Sequence, residues 1–451
     1  MRAPRNLLLL FAHGWRADVI SDGGTWPLRT PNFERLADAG LRVVAGSACP
    51  HHVGGMVSLL TGLHARQHGG VAGDAHELIP NSFAHWLTEA GYHVAGVGRV
   101  GAIRSALEES VLVEDLDVVE PQHCAYWTMA DGRGLTRALS DQRRQRLRSG
   151  PFEPVRLLLE PDEDIDGFIG QQAQLMLERM PDDRPWALIV IFTGPGNDLP
   201  PPPLYAEVVD AAALKSPFLP VNLRDLDALG EPVYPRSMLQ RLEPTLIGRI
   251  RADYLGRVSL FDHAVGRLRK TLEQRIDARR TWTLATADHG HLLGEHGLIG
   301  ARSFLAPAVE VPLLLVPPAH AEQSLAQGAV DGLVSTIDVA PTLAALAAAD
   351  VPPRLVGRSL VPMLHGHSLP PGDQLANLSE FHDRLMLETE RFKVVFNRTT
   401  RTCLGLYDLF NDPDEKRNLI DTPASARLLD PLRLRLADML LPICGVGRTS
   451  R

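Results

Sequence analysis

The sequence predicts an α/β fold in which helices cover both faces of a mostly parallel sheet. Three observations favour this fold: apolar runs of strand length recur, helical segments separate them, and polar side chains follow the strands directly. The chain has 451 residues, which is more than one simple core usually holds. We therefore expect one large domain and one smaller domain.

The first strand is predicted at residues 7–12, an unbroken apolar run typical of parallel strands buried on both faces. A helix is predicted to begin at Pro31, because Thr30 offers an N-cap hydroxyl, and to end at Gly40. A second helix contains residues 57–60 and follows residues 50–55. The later elements are helices at 83–90 and 255–272 and strands at 94–97, 186–192, 281–285 and 311–316.

The domain boundary is predicted at Pro370-Pro371-Gly372, which divides the chain into residues 1–370 and residues 371–451. The proline-rich segment 200–244 is interpreted as a surface excursion from the large domain. The small domain is predicted to hold an antiparallel sheet, with strands at 391–396 and 406–409, and a helix at 424–440.

Composition excludes several classes of protein. Hydrophobic residues make up 45% and charged residues 22%, and the net charge of -8 gives no basis for binding nucleic acid. No apolar stretch approaches the roughly 20 residues that span a bilayer, so no membrane partner is expected. Four scattered cysteines without close pairs favour reduced thiols and a cytoplasmic protein; they are Cys49, Cys124, Cys403 and Cys444.

The most informative residues are Asp288 and His289, which directly follow the apolar run 281–285 and its continuation Thr286-Ala287. They stand at the carboxyl end of a predicted strand, where open α/β sheets keep their ligand crevices. His13 stands at the end of the first predicted strand in the same way. We therefore expect these side chains to meet at one edge of the sheet.

The two strand ends and a series of shorter motifs together resemble the sulfatase family of the alkaline phosphatase superfamily. The resemblance covers nearly the whole chain, with its landmarks in matching order. They lie at residues 6–18, 30–32, 58–62, 90–92, 286–297, 334–342, 357–360 and 406–413. It implies an alkaline-phosphatase-like α/β/α sandwich with a mostly parallel central sheet, followed by a small C-terminal α+β domain.

The resemblance also implies a site for one divalent metal, usually calcium or magnesium, and here the chain departs from the family pattern. The family ends its first strand with two adjacent aspartates, and those positions are His13 and Gly14. The late pair is present as Asp288 and His289, which we predict as metal ligands. Because a hard cation needs several oxygen ligands, we expect no calcium or magnesium to bind.

The nucleophile position departs in the same way. The family's Cys-x-Pro-x-Arg pattern, counted back from residues 58–62, places His52 at the cysteine, Gly54 at the proline and Met56 at the arginine. Cys49 lies upstream and lacks the following motif. The resemblance therefore implies that formylglycine cannot form here.

Several supporting residues of the family are also replaced. A lysine becomes Arg99, and its histidine two positions later becomes Gly101. A histidine after Pro195 becomes Gly196, and a late lysine becomes Ala301, next to Arg302. His52, His13 and Arg99 remain as the candidate catalytic residues.

Two interpretations of these residues stay open. Asp288 and His289 can serve as ligands or can simply cap a strand-to-helix turn. His13, His52 and His289 can form a nitrogen-rich site for zinc or manganese, or can fill the space of the lost groups.

Three functions follow. The first is a pseudo-sulfatase that binds a small anionic ligand or a protein partner, with a homo-oligomer left open. The second is a hydrolase of sulfuric, phosphoric or phosphonic esters with a remodelled histidine-rich site, and the third is an ordinary sulfatase or phosphoesterase.

Overall fold

The structure is a computed structural model that covers most of the chain. It describes residues 5–20, 25–70, 81–113, 124–217, 228–318, 325–352, 355–367, 376–423 and 425–440.

Most helices belong to the large N-terminal part of the chain. In chain order they are α1 Pro31–Ala39, α2 His52–Thr61, α3 Ala65–His68, α4 Phe83–Glu89, α5 Ala125–Gly132, α6 Thr136–Ser149, α7 Ile165–Glu178, α8 Pro203–Ala206, α9 Arg236–Leu239, α10 Pro244–Gln274, α11 Ala306–Val309, α12 Val339–Ala347, α13 Val361–Leu364 and α14 Ser425–Leu440.

The strands form two main sheets and one short pair. In chain order they are β1 Asn6–His13, β2 Leu41–Gly46, β3 His93–Gly98, β4 Glu109–Leu112, β5 Trp186–Pro195, β6 Thr281–Ala287, β7 Leu292–Leu293, β8 Ile299–Gly300, β9 Glu310–Val316, β10 Gly328–Ala329, β11 Val334–Ser335, β12 Asn377–Phe381, β13 Arg384–Glu388, β14 Phe392–Asn397 and β15 Cys403–Asp408.

The central sheet has the order β10-β2-β9-β6-β1-β5-β3-β4, with β11 added beside β2. Every described pairing in it is parallel except those of β9, which runs antiparallel to both β2 and β6. Helix α10 contacts α1, α7 and strand β5, and α2, α4 and α12 form a second group of helices that contact one another. The α/β/α sandwich with a mostly parallel sheet is therefore confirmed.

The core of this sandwich is formed by the strands that the apolar runs predicted. Seven of the eight residues of β1 are buried, as are all ten of β5 and all seven of β6. Because both faces are covered, these strands need no alternation of polar and apolar side chains. This is why they could be recognised from sequence.

The C-terminal part is a four-stranded antiparallel sheet, β12-β13-β14-β15, with α14 packed on it through Leu429, Leu432 and Leu436. The predicted small α+β unit is confirmed as part of the fold. The sequence predicted only β14 and β15, because β12 carries the buried polar residues Ser379 and Glu380 and does not look apolar. The predicted boundary at 370–372 lies outside the described residues, so the division into 1–370 and 371–451 stays a prediction.

The segment predicted as a surface excursion, 200–244, includes the short helices α8 and α9. Its described residues do more than cover the surface, because Val233, Tyr234 and Met238 line the cavity described below. Among the described residues, no helix combines the length and the apolar character that crossing a bilayer requires.

Candidate functional site

Strands β1 and β6 bring the predicted site residues together. The two strands pair in parallel, and Ala12 lies opposite Ala287. Strand β6 ends at Ala287 and strand β1 ends one residue after Ala12, at His13, so His13 and Asp288 lie at the same edge of the sheet. The Nδ1–H of His13 donates to Asp288 Oδ2 over 2.8 Å, because a carboxylate can only accept.

Asp288 is the anchor of the site. Its Oδ1 accepts the backbone N–H groups of Gly14 at 3.2 Å and of His289 at 2.7 Å. Burial alone would raise the pKa of Asp288, but the imidazoles of His289 and His13 and the N–H of Gly14 lower it to about 2. Asp288 is therefore an ionised carboxylate whose three described hydrogen bonds come from the ends of two strands.

His289 presents a buried ring nitrogen without a partner. Its Nδ1–H donates to the carbonyl of Gly290 at 2.6 Å, which leaves Nε2 as the lone pair. Among the described residues Nε2 has no hydrogen-bond partner, and it lies 3.9 Å from Asp288 Oδ1. Burial lowers the pKa of His289 to about 4, so the ring is neutral near pH 7. Two acceptors that face each other in this way are stabilised by a cation between them.

A row of imidazoles extends from this pair. The ring centroids of His289 and His13 are 4.6 Å apart, those of His13 and His52 5.5 Å, and those of His52 and His51 4.5 Å. Burial, and then the guanidinium of Arg99, lower the pKa of His52 far below its ordinary value. Burial and nearby cations lower the pKa of His51 to about 3. His51, His52 and His289 are therefore neutral near pH 7.

The other side of the crevice is closed by two glycines. Gly14 has φ +68, and a Cβ added there would meet Gly196 Cα at 2.8 Å. A Cβ on Gly196 would meet Gly14 Cα and His291 Nδ1, both at 2.9 Å. The two backbones also share a hydrogen bond, from the N–H of Gly196 to the carbonyl of His13 at 2.9 Å. The space for side chains at positions 14 and 196 is thus taken up by backbone and by His291.

His291 is held by a carboxylate and a tyrosine. Its Nε2–H donates to Asp198 Oδ1 at 3.1 Å, and the hydroxyl of Tyr234 donates to Asp198 Oδ2 at 2.6 Å. The ring stacks on Tyr254 at 5.7 Å with an interplanar angle of 13°. Burial would raise the pKa of Asp198, but His291 and then Arg146 and Tyr234 hold it below its ordinary value. Asp198 itself has φ +55, a strained conformation for a residue other than glycine.

Helix α2 carries His52, the predicted counterpart of the family's nucleophile, at its first position. The helix approaches β6 closely, because Gly55 has no side chain: a Cβ there would meet the carbonyl of Asp288 at 2.9 Å. A Cβ on Gly54 would meet Cys49 Sγ at 2.6 Å. Cys49 is fully buried, and burial raises the pKa of its thiol to about 12, so it is no substitute nucleophile.

The crevice encloses a cavity of about 340 Å³. Its wall includes the imidazoles of the row just described, together with Asp198 and His291. Three arginines also line it, two of them from α6; they are Arg146, Arg148 and Arg302. A pocket with these cations and neutral imidazoles suits a small anion.

The structure brings four of the five predicted site residues into direct contact: His13, His52, Asp288 and His289. Arg99 follows β3, donates its backbone N–H to Ile191 at 3.1 Å, and acts on the site through the charge that it exerts on His52.

Sequence reasoning missed Asp198, His291 and Tyr234. Asp198 stands three residues after β5, so the strand-end argument that found Asp288 had the means to find it. Tyr234 carries no such signal, because only tertiary folding brings the excursion over the crevice.

The donor set decides which metal ion the site fits. Within the described part of the chain, one group of three metal-ligating side chains occurs: His13, Asp288 and His289, whose ligand atoms lie within 4.8 Å of one another. Calcium takes six to eight oxygens, so a group with one carboxylate does not fit it, and magnesium also prefers oxygen. Two imidazoles and a carboxylate fit zinc, which often keeps a fourth position open. The unpartnered Nε2 of His289 is available as a ligand to such an ion.

Two family models match the chain. The model described as Sulfatase matches residues 5–349, and the model described as N-sulphoglucosamine sulphohydrolase, C-terminal, matches residues 294–440. An arylsulfatase of Clostridium perfringens is 22% identical over 95% of this chain and 92% of its own length. A choline-sulfatase of Rhizobium meliloti is 26% identical over 93% of this chain and 83% of its own length.

Solved structures show the same fold. A phosphonate monoester hydrolase of Agrobacterium radiobacter superposes with a TM-score of 0.79 at 23% identity, covering 97% of this chain and 95% of that one. A phosphonate monoester hydrolase of Silicibacter pomeroyi superposes with a TM-score of 0.77 at 20% identity, covering 97% and 95%. At these identities the likeness establishes the fold alone.

Proposed function

Because the chain belongs to the sulfatase family, we propose that it keeps the family's crevice as a pocket for a small anionic ligand and has lost formylglycine-type sulfate ester hydrolysis. The observation that carries this proposal is the backbone contact between Gly14 and Gly196. The resemblance implies a metal-binding carboxylate at position 14 and a histidine at position 196, and the contact leaves no room for a side chain at either position.

The replaced nucleophile supports the proposal independently. His52 stands at the start of α2 in place of the residue that becomes formylglycine, and its pKa is lowered mainly by burial. Nucleophile, metal carboxylates and leaving-group cations act as one unit in catalysis. Losing several of them therefore removes the mechanism itself instead of slowing it slightly.

Hydrolysis is tested on protein co-expressed with a formylglycine-generating enzyme. Aryl sulfates, phosphate monoesters and phosphonate esters are offered as substrates, since relatives and structural neighbours carry the names of sulfatases and phosphonate hydrolases. We expect no turnover above background. Robust turnover that disappears in Asp288→Asn would overturn the proposal.

Anion binding is tested with inorganic sulfate and phosphate by calorimetry. Arg148 lies on the cavity wall, so we expect Arg148→Gln to weaken binding severalfold. Arg144 on the same helix is exposed and pairs with Asp141 instead, which makes Arg144→Gln the matched control. Equal affinity in both variants would argue that this wall does not hold the anion.

A second candidate function is an ester hydrolase with zinc or manganese at His13, Asp288 and His289. The observation that favours it is the unpartnered Nε2 of His289, 3.9 Å from a carboxylate oxygen. A bound ion would supply Lewis-acid polarisation of a substrate oxygen. The hydrogen bonds that Asp288 accepts would hold its carboxylate in place and so orient the ion. His52 lies beside His13 on the cavity wall, where it could exchange a proton with a bound substrate.

We propose the location from the cysteines and leave the partners as predictions from the sequence. The buried free thiols of Cys49 and Cys124 are compatible with a reducing compartment, so we propose a cytoplasmic protein. A protein partner and self-association stay predictions that size-exclusion chromatography with light scattering tests.

A further inference from the structure

His291 is a second buried imidazole on the wall of the crevice, and its unpartnered nitrogen lies beside Gly14 and Gly196. Its Nδ1 has no hydrogen-bond partner among the described residues, and only 4% of its side chain is exposed. Its Nε2–H is already committed to Asp198 at 3.1 Å. In the neutral ring Nδ1 therefore carries a lone pair that is buried and accepts no hydrogen bond. Leaving such an acceptor unsatisfied costs about 1–3 kcal/mol of folding free energy.

The position of this lone pair is specific. Nδ1 lies 3.4 Å from the point where a Cβ on Gly14 would stand. On its other side Gly14 donates its N–H to Asp288 Oδ1. His291 and Asp288 thus flank the residue at which the family's second carboxylate is missing.

The surroundings of His291 match those of a metal-binding histidine. Such a ligand usually donates its second ring N–H to a carboxylate or a carbonyl, which fixes its tautomer and orientation. His291 donates to Asp198, and His289 donates to the carbonyl of Gly290. Tyr234 in turn holds Asp198, and the ring stacks on Tyr254. Both imidazoles therefore have fixed tautomers and an unused nitrogen.

We propose that His291 is a fourth donor for a transition-metal cation held by His13, Asp288 and His289, and that it replaces the oxygen lost at position 14. His291 lies outside the group of three whose ligand atoms are within 4.8 Å of one another, so its ring has to move towards the ion when the ion binds. Three imidazoles and one carboxylate select a borderline cation such as zinc over calcium. The proposal rests on the second candidate function for the ion itself. It assigns a role in metal binding to His291, Asp198 and Tyr234, and this role does not require that the protein hydrolyses esters.

The test measures metal binding to the full chain after treatment with a chelator. Zinc affinity is measured by competition with a chromophoric chelator, and cobalt absorption reports the ligand geometry. We expect His291→Ala to weaken zinc binding 10- to 100-fold and to change the cobalt spectrum, and Asp198→Asn to weaken zinc binding about tenfold. His263→Ala, an exposed histidine on α10 that pairs with Tyr205, is the control and should match the wild type.

Three results would overturn the proposal. The wild-type protein could bind no stoichiometric zinc, or a folded His291→Ala variant could keep its zinc affinity and cobalt spectrum. The third result is a His291→Ala variant that loses sulfate binding while its zinc affinity is unchanged. His291→Gln serves if the alanine variant does not fold, and Asp198→Asn keeps His291 itself in place. Aryl sulfate turnover is scored separately. Turnover of aryl sulfate would contradict the proposed loss of hydrolysis, but it would not decide whether His291 binds the metal.

Discussion

The ends of β1 and β6 lie side by side in the same sheet, yet they carry different kinds of side chain. The β6 end keeps the acid and the histidine of its family as Asp288 and His289, both fully buried and bonded to neighbouring backbone. The β1 end carries His13 and Gly14, where the family resemblance implies two carboxylates. We propose that the anchor of the site is retained at β6, while imidazole and backbone at β1 replace the groups that bind a hard cation.

The largest effect is expected from restoring a carboxylate at the altered end. In Gly14→Asp the new Cβ meets Gly196 Cα at 2.8 Å, and φ is +68. Strain and overpacking together should destabilise the fold by about 2–5 kcal/mol, measured by urea unfolding. No calcium binding should appear.

Gly91→Asp is the control for that prediction. Gly91 has φ +85, and a Cβ added there would have no neighbouring atom within 4 Å, so only backbone strain of about 1–2 kcal/mol should result. Equal stability of the two variants, or calcium binding by Gly14→Asp, would break the comparison.

The second effect concerns the retained anchor. Asp288→Ala leaves two backbone N–H groups and the His13 ring without their acceptor. We expect a loss of about 2–3 kcal/mol in the free energy of unfolding, against less than about 0.5 kcal/mol for the exposed Asp141→Ala. A neutral result for Asp288→Ala would mean that the β6 end is not the anchor.

The third prediction is the pH dependence of the metal-free protein. The folded-state pKa of His289 is lowered to about 4, so between about pH 6.5 and pH 4 the unfolded chain takes up a proton that the folded protein does not. Stability contributed by His289 is therefore lost as pH falls, by up to about 1.4 kcal/mol per pH unit.

His289→Gln removes one of several such titrations, so the dependence above about pH 4.5 should become less steep by up to about 1.4 kcal/mol per pH unit, while His51 and His52 still contribute. Asp288, with its pKa near 2, acts in the same direction but below about pH 3.8. Parallel curves for the wild type and His289→Gln would show that His289 is not held neutral.

The smallest effect on stability is expected at His13. Its side chain is 14% exposed, so His13→Ala removes a hydrogen bond that water can partly replace. The free energy of unfolding should fall by about 1 kcal/mol, whereas zinc affinity should fall at least about tenfold. A destabilisation as large as that of Asp288→Ala would erase the difference between the two strand ends.

Sequence reasoning recovered what depends on periodicity and strand ends. The apolar strands β1, β5 and β6 identify themselves because they are buried on both faces, and Asp288 and His13 follow from their position after a strand. Strand β12 was missed because its Ser379 and Glu380 are buried polar residues. His291 and Tyr234 were missed because their roles depend on tertiary contacts with Asp198.

The most direct test of the exchanged chemistry is a calorimetric titration of chelator-treated protein with calcium and then with zinc. The account predicts no heat of binding with calcium and one saturable zinc site, lost in Asp288→Ala. Tight calcium binding that survives competition by zinc would contradict it, because one carboxylate among imidazoles does not supply the oxygens that calcium needs.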